Sequence, residues 1–417
     1  MTQTLNQSST TPPAGATASA GVARAHPALV ALRIVVALAI AAGLVYAALY
    51  LHEHRGRAAS FTLVTGAALG ILLQRSRFCF FCNLRDALEK RDGSAALGLL
   101  AALATGAVGY AVVMGMMAPD PSAEWSLDAV DAHIAPVSWV MVAGGAIFGL
   151  GMTLSGSCLS AHLYRLGEGS LLAPIALAGA VAGFVLALMA WNPLYLRFVA
   201  DAPVIWLPQR MGYGLALTLQ LAALAVLALP LIYMARPRMP AEGKPGLGRT
   251  LRVVFVHRWP TWVGGAGIGM LGTFTFLRTR PLGVTAEMNR LARGAGEWAG
   301  LVPGQLRGLD RMRGCILPEQ VNVISDNGIF VLALVGASLM AALIAGQFRP
   351  RRESWRACAA ALVGGVLLGF GAMIAVGCTV GTLLSGIHAA AAAGWVFLAA
   401  MVAALAISLP VRRWLLG

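Results

Sequence analysis

Gly145-Ala-Ile-Phe-Gly149-Leu-Gly151 runs on to Cys158, and Gly365-Val-Leu-Leu-Gly369-Phe-Gly371 runs on to Cys378. Both stretches read GxxxGxGxxxxxxC without a gap. Each closes in a polar turn holding the cysteine, Ser155-Gly-Ser-Cys158 in one and Val376-Gly-Cys378-Thr in the other. Glycines four apart lie on one helix face and let a second helix approach closely, a device suited to lipid. A chain that carries this unit twice at membrane depth is most simply a transporter built from two halves. Each turn cysteine is then a candidate for the substrate path.

Composition supports the membrane setting. Of 417 residues, 58% are hydrophobic and 12% charged, with a mean hydropathy of +0.75. A soluble chain carries about 25% charged residues. Apolar runs of about 17–25 residues, enough to cross a bilayer, recur along the sequence. The net charge of +14 does not indicate nucleic acid. The basic residues sit in short segments between apolar runs, as in cytoplasmic loops, and form no stripe interleaved with aromatics. The six cysteines do not make a disulfide framework. There is no phosphate-binding loop and no metal-ligand spacing among His162, His257 and His388, so neither ATP hydrolysis nor a cofactor is expected.

The periodicity predicts helices near 34–51, 60–73, 94–117, 138–154, 171–191, 213–235, 260–277, 328–346, 357–377 and 393–409. This is an all-α polytopic membrane protein of about 9–10 spans. The segments 60–73 and 260–277 are short or meet arginine at once, which leaves open whether they cross or turn back. Six cations against one acid place 236–258 in the cytoplasm, and four arginines place 349–356 there too. Four acids with no Lys or Arg place 118–137 outside. The segment 278–327 would then also lie outside, although it holds seven arginines beside five acids.

The resulting organisation is a disordered cytoplasmic tail over 1–33, an accessory span over 34–59 and a first repeat over 60–212. A connecting helix and basic linker cover 213–259, and a second repeat covers 260–417 with a long loop at 278–327. The repeats would have inverted topology, with broken helices or hairpins meeting near the midplane. A weaker second pair supports this. Gly66-Ala-Ala-Leu-Gly70 leads to Cys79, and Gly265-Ala-Gly-Ile-Gly269 leads to a polar turn ending at Thr285. The twofold would thus be broken chemically, with three cysteines and one threonine.

A helix broken inside a membrane must satisfy its free N–H groups with protein, water or substrate. The new helix starting after Cys158 offers free N–H groups and a positive dipole end, an environment that suits an anion. Ser157, Ser160, Thr379, Thr382 and Ser385 add small donors. Arg75, Arg77 and Arg85 lie close to Cys79, and an arginine within membrane-facing sequence often marks an ion path. The bland alternatives are that the glycines only pack helices, the cysteines only fill space and the arginines only end helices. Cys79-Phe-Phe-Cys82 has a redox spacing without the βαβ setting that gives it meaning. Cys315 and Cys358 carry no signal.

The run Gly70-Ile-Leu-Leu-Gln-Arg-Ser-Arg-Phe-Cys79-Phe with Arg85-Asp86, the run Gly149 to Cys158, and Gly371 to Gly386 together resemble the YeeE/YedE family of sulfur-compound transporters. The resemblance covers roughly residues 60–400. It implies uptake of thiosulfate, or in some members a selenium compound, across the bacterial inner membrane by a multi-pass protein. It also implies a relay of three cysteines, which map to Cys79, Cys158 and Cys378. Ser157, Thr379, Thr285 and Arg85 complete the expected substrate-binding set. The expected partners are a small thiosulfate-like anion, membrane lipid and a cytoplasmic sulfurtransferase of the TusA type. The alternative from another class is a membrane thiol oxidoreductase, in which Cys158 and Cys378 would pair.

Overall fold

A computed structural model describes residues 27–123, 125, 130–235, 253–309, 325–350 and 352–416. The described residues are 77% helical, with two isolated β-bridges and no strand among them. In chain order the helices are α1 (Pro27–Arg55), α2 (Arg57–Ser76), α3 (Phe80–Lys90), α4 (Ala96–Met117), α5 (Trp139–Ser155), α6 (Leu159–Gly167) and α7 (Leu172–Leu194). There follow α8 (Leu207–Met234), α9 (Thr261–Arg278), α10 (Thr285–Trp298), α11 (Asp326–Ile344) and α12 (Trp355–Ile374). A π-helical turn (Thr379–Ser385) leads into the short α13 (Gly386–His388), and α14 (Ala392–Leu416) ends the chain. Nine helices among the described residues are long and apolar enough to cross a membrane. The chain is a multi-pass membrane protein.

The glycine spacing explains the packing. Cβ atoms added at Gly66 and Gly70 of α2 would strike the backbone of Phe330 and Leu334 on α11, and at Gly265 and Gly269 of α9 that of Gly98 and Ala102 on α4. Gly145 and Gly149 of α5 abut Phe397 and Met401 of α14 in the same way, and Gly365 and Gly369 of α12 abut Ala176 and Ala180 of α7. In all four pairs the numbers rise together, so the paired helices run parallel. At the centre the contacts become reciprocal. A Cβ on Gly144 would lie 2.9 Å from the Gly371 carbonyl oxygen, and one on Gly371 2.7 Å from that of Gly144. Gly151 and Gly364 repeat this at 2.8 Å each way. The central pair α5–α12 is therefore antiparallel. Backbones this close exchange Cα–H···O contacts, worth about 0.5–1 kcal/mol each.

Several boundaries differ from the expectation. Helix α1 starts at Pro27, inside the expected tail, because proline is tolerated in a first helical turn. Residues 1–26, most of the linker (236–252) and 310–324, with Cys315, lie outside the described residues. Helices α2 and α9 have 20 and 18 residues, about 30 and 27 Å at 1.5 Å per residue, so both have the length of a span. Only α9 falls outside the nine, diluted by its glycines and threonines. The arginine that seemed to stop α2 is accommodated inside the protein. Arg75 is 3% exposed and donates to the His257 carbonyl. Helix α8 begins before residue 213, but Gly212 breaks its backbone with φ 75° and ψ 166°. The segment 278–327 contains α10, held by Glu287–Arg290 and Arg293–Glu297 ion pairs and packed on α7.

Candidate functional site

Four times a long helix stops, the chain turns, and a short helix begins: α2/α3, α5/α6, α9/α10 and α12 with its π turn. Left-handed residues make three of these turns. Arg77 has φ 49°, Gly156 has φ 78°, and Val376 and Gly377 have φ 60° and 152°. Glycine takes this conformation without a Cβ penalty, whereas Arg77 and Val376 are held there by their surroundings.

Cys79, Cys158 and Cys378 are the N-cap residues of the three short segments that follow, and Thr285 is the first residue of α10. All three cysteines are free and buried. The predicted residues gather in two groups. In the first, the Cys79 and Cys158 sulfurs are 3.9 Å apart, and the Ser160 hydroxyl lies 3.3 Å from the Cys158 sulfur. The backbone N–H groups of Phe80 and Ala161 also interact with that sulfur. In the second, the Val380 N–H donates to the Cys378 sulfur at 3.4 Å, and the Thr285 hydroxyl lies against the same thiol. Helix α6 touches the π turn, which joins the two groups. The sulfur pair that forms is thus Cys79–Cys158.

The Cys158 and Cys378 sulfurs therefore sit over N–H groups at the start of a helical segment, where the helix dipole is positive, and Cys79 stands at the N-cap position of a third. Around them, the hydroxyls of Ser157 and Thr379 are buried and lack a hydrogen-bond partner. A buried hydroxyl without a partner costs about 1–3 kcal/mol, so these groups are expensive unless something binds them. Thiols, hydroxyls and free N–H groups can hold a small anion loosely, and the buried carboxylate next along α10, Glu287, is taken up by Arg290 and Ser325.

Arg85 carries its charge near the Cys82 thiol. It is engaged with Asp86 at 2.7 Å and lies over the Phe81 ring at 5.7 Å. Arg165, not singled out from the sequence, donates to the Cys82 sulfur at 3.1 Å and to the Gly156 carbonyl at 3.4 Å. Its position was available in the sequence, seven residues after Cys158 and so two helical turns along the same face. His133 was not signalled. It comes from the acidic connection before α5, and its Nε2 meets the Thr382 hydroxyl at 3.0 Å. His388 has a packing role. Its ring fills the space over Gly106, and its Nε2 lies 3.0 Å from the Ala102 carbonyl.

Two cavities flank the groups. One, of about 480 Å³, lies where α2 and α11 end and is lined by Arg77, Arg258, Arg349, Glu168 and Gln347. The other, of about 280 Å³, lies where α9 ends and α11 begins, and is lined by Arg278, Arg280, Thr62, Thr65 and Thr275.

The sequence profile of the sulphur transport family matches residues 75–407 of this chain. The thiosulfate transporter TsuA of Escherichia coli strain K12 is 27% identical over 364 residues, covering 82% of this chain and 90% of the relative. The thiosulfate transporter TsuA of Spirochaeta thermophila is 26% identical over 348 residues, covering 80% and 92% respectively. The matched region takes in all four turns, their cysteines and three of the four parallel helix pairs, with α2 entering it only at its last two residues. Extending across the repeated unit from which the whole fold is built, it makes this chain a member of the sulphur transport family.

Proposed function

We propose that the protein takes up thiosulfate across the bacterial inner membrane, passing the anion along Cys79, Cys158 and Cys378. The observation that carries this reading is the 3.9 Å approach of two buried thiols, each on the N-cap residue of a different short helix. Thiosulfate joins a soft terminal sulfur to three charged oxygens. A thiol is a weak S–H donor and can contact the soft end without holding it, while open helix N-termini and hydroxyls face the oxygens. Conduction needs sites of this weak, repeated kind. The two turn groups belong to halves of inverted orientation, and the exchange of contacts between α5 and α12 supports that arrangement.

The mouth with Arg278 and Arg280 faces outside, and the mouth with Arg77, Arg258 and Arg349 faces the cytoplasm. A TusA-type sulfurtransferase receives the anion there. Ser157, Thr379 and Thr285 line the path, and Arg85 sets the charge at its cytoplasmic rim.

Replacing Cys79, Cys158 and Cys378 singly by alanine and following uptake of labelled thiosulfate in vesicles tests the relay. Each variant should transport at least about tenfold more slowly, the size of one lost contact to a charged group. Undiminished uptake in all three sinks it. Competition by selenite that exceeds competition by unlabelled thiosulfate would reassign the cargo. The Cys79–Cys158 approach also frames the oxidoreductase reading, because thiol trapping during turnover would capture a disulfide between those two positions.

A further inference from the structure

The four turn residues have a common feature one helical turn downstream. Asn83 follows Cys79 by four positions, His162 follows Cys158, Asn289 follows Thr285 and Thr382 follows Cys378. All four are buried polar side chains, at 4%, 2%, 4% and 0% exposure. Residues i and i+4 stack on one helix face, and the backbone bonds Asn83 N–H to Cys79 O and His162 N–H to Cys158 O, both 3.0 Å, show that register directly. Asn83 and Asn289 therefore share the faces on which Cys79 and Thr285 stand, as His162 shares that of Cys158.

Three of the four are incomplete. Asn83 Nδ2, His162 Nε2 and Asn289 Oδ1 are buried without a hydrogen-bond partner. The fourth, Thr382, is already engaged by His133 Nε2 at 3.0 Å and by the Ala375 carbonyl at 3.2 Å. Random burial of polar groups does not select the same position after each of four turns. Leaving such atoms unsatisfied is costly, and a core leucine would fill the space more cheaply. An amide turned by 180° presents its NH₂ where its oxygen stood, so each asparagine can offer a donor at its open atom.

We propose that Asn83, His162 and Asn289 form a second rung of anion contacts, one helical turn beyond the turn residues, that binds the oxygens of a sulfur oxyanion while the thiols contact its sulfur. This rests on the thiosulfate reading above and extends it. The turn residues address a soft atom, and the second rung addresses hard, charged oxygens. Together they fix the orientation of an ion whose two ends differ. On the α6 side the rung also gives continuity, because His162 lies between Cys158 and Glu168, which lines the cavity of about 480 Å³.

The test uses Asn83→Leu, Asn289→Leu and His162→Leu in the full-length protein, with Asn83→Gln as a donor-retaining control. Leucine keeps the bulk and removes the hydrogen bond. Labelled thiosulfate uptake in vesicles should show KM raised ~10-fold in each leucine variant, one hydrogen bond to a charged group, with partial rescue by Asn83→Gln. Thermal stability in detergent should stay level or rise, since an unsatisfied buried group has gone. Unchanged KM with raised stability would overturn the rung and leave the asparagines as structural. A wild type that fails to take up thiosulfate at all would instead overturn the underlying reading. Should a leucine variant not fold, KM of Asn83→Asp and Asn289→Asp decides. An added negative charge raises it further if oxygens bind there, and KM unmoved by that charge overturns the proposal.

Discussion

Ser157 and Thr379 bury hydroxyls for which the described protein supplies no partner. Each is next to a cysteine in sequence, Ser157 before Cys158 and Thr379 after Cys378. A structural role predicts that deleting the hydroxyl helps or does nothing to folding and leaves transport alone. A path role predicts that folding and transport separate. Ser157→Ala and Thr379→Val should keep or raise stability, by up to about 1–3 kcal/mol, the desolvation cost recovered. They should also lower the thiosulfate uptake rate, measured in the same vesicles, by about tenfold if one hydrogen bond to the moving anion is lost. Normal uptake in both would return these residues to packing. Arg165 and Arg85 show how two arginines reach the same turn by different routes. Arg85 is three residues past Cys82 but turns to Asp86, whereas Arg165 arrives at Cys82 from 83 positions away. Sequence proximity favours the first, whereas the seven-residue step from Cys158 only puts Arg165 on the right face of α6 and the fold then brings Cys82 to it.

Helix contacts in this protein are made by backbone against backbone, and a methyl group is enough to disturb them. Gly369 faces the Ala180 carbonyl so closely that a Cβ there must displace α7 from α12. Gly43 in α1 has nothing within 4 Å of the same added atom. Gly369→Ala should therefore destabilise by about 1–3 kcal/mol, the usual size of overpacking. Gly43→Ala should be neutral or stabilising by up to about 1 kcal/mol, because alanine is the better helix former. Melting in detergent separates them, and equal melting of the two variants would mean that the close approach is not a packing constraint. The same contacts explain what was legible beforehand. Gly145, Gly149, Gly365 and Gly369 announced two close helix contacts through spacing alone, because backbone approach depends on small residues and little else. Helix α10 was hidden, since 14 residues with four charges among glycines look like loop until α7 covers their apolar face. Cys79, Cys158, Cys378 and Thr285 were legible as turn residues because helices break where glycine and hydroxyls cluster. Their grouping was not, because the partner of Cys79 is set by how α2 meets α6, and no local pattern encodes that.

Across the whole molecule, one set of contacts is written twice. Helix α2 lies on α11 as α9 lies on α4, α7 lies on α12 as α14 lies on α5, and α3 touches α4 and α14 as α10 touches α11 and α7. Helix α1 leans on the outside of the α2–α11 pair, and α8 lies against α4. Neither carries a turn, so the site belongs to the twelve repeated segments. Charge then distinguishes the two ends. The segment 278–327 conflicts with the positive-inside bias if it lies outside, yet its first two arginines, Arg278 and Arg280, are exposed at the rim of the cavity of about 280 Å³. An outer mouth that gathers a dianion needs cations there, and function then overrides the topological bias. Exposed charges act over a Debye length of about 8 Å at physiological salt, so their effect belongs to encounter and fades as salt rises. The paired variant Arg278→Gln with Arg280→Gln should raise KM for thiosulfate about threefold or more at low ionic strength, with the maximal rate unchanged. In 1 M salt, where the Debye length falls to about 3 Å, variant and wild type should converge. A KM difference that persists in high salt would mean that these arginines contact the bound ion directly. No difference at either salt would mean that the mouth lies elsewhere, and the charge in 278–327 would then need another reason to be on the outer face.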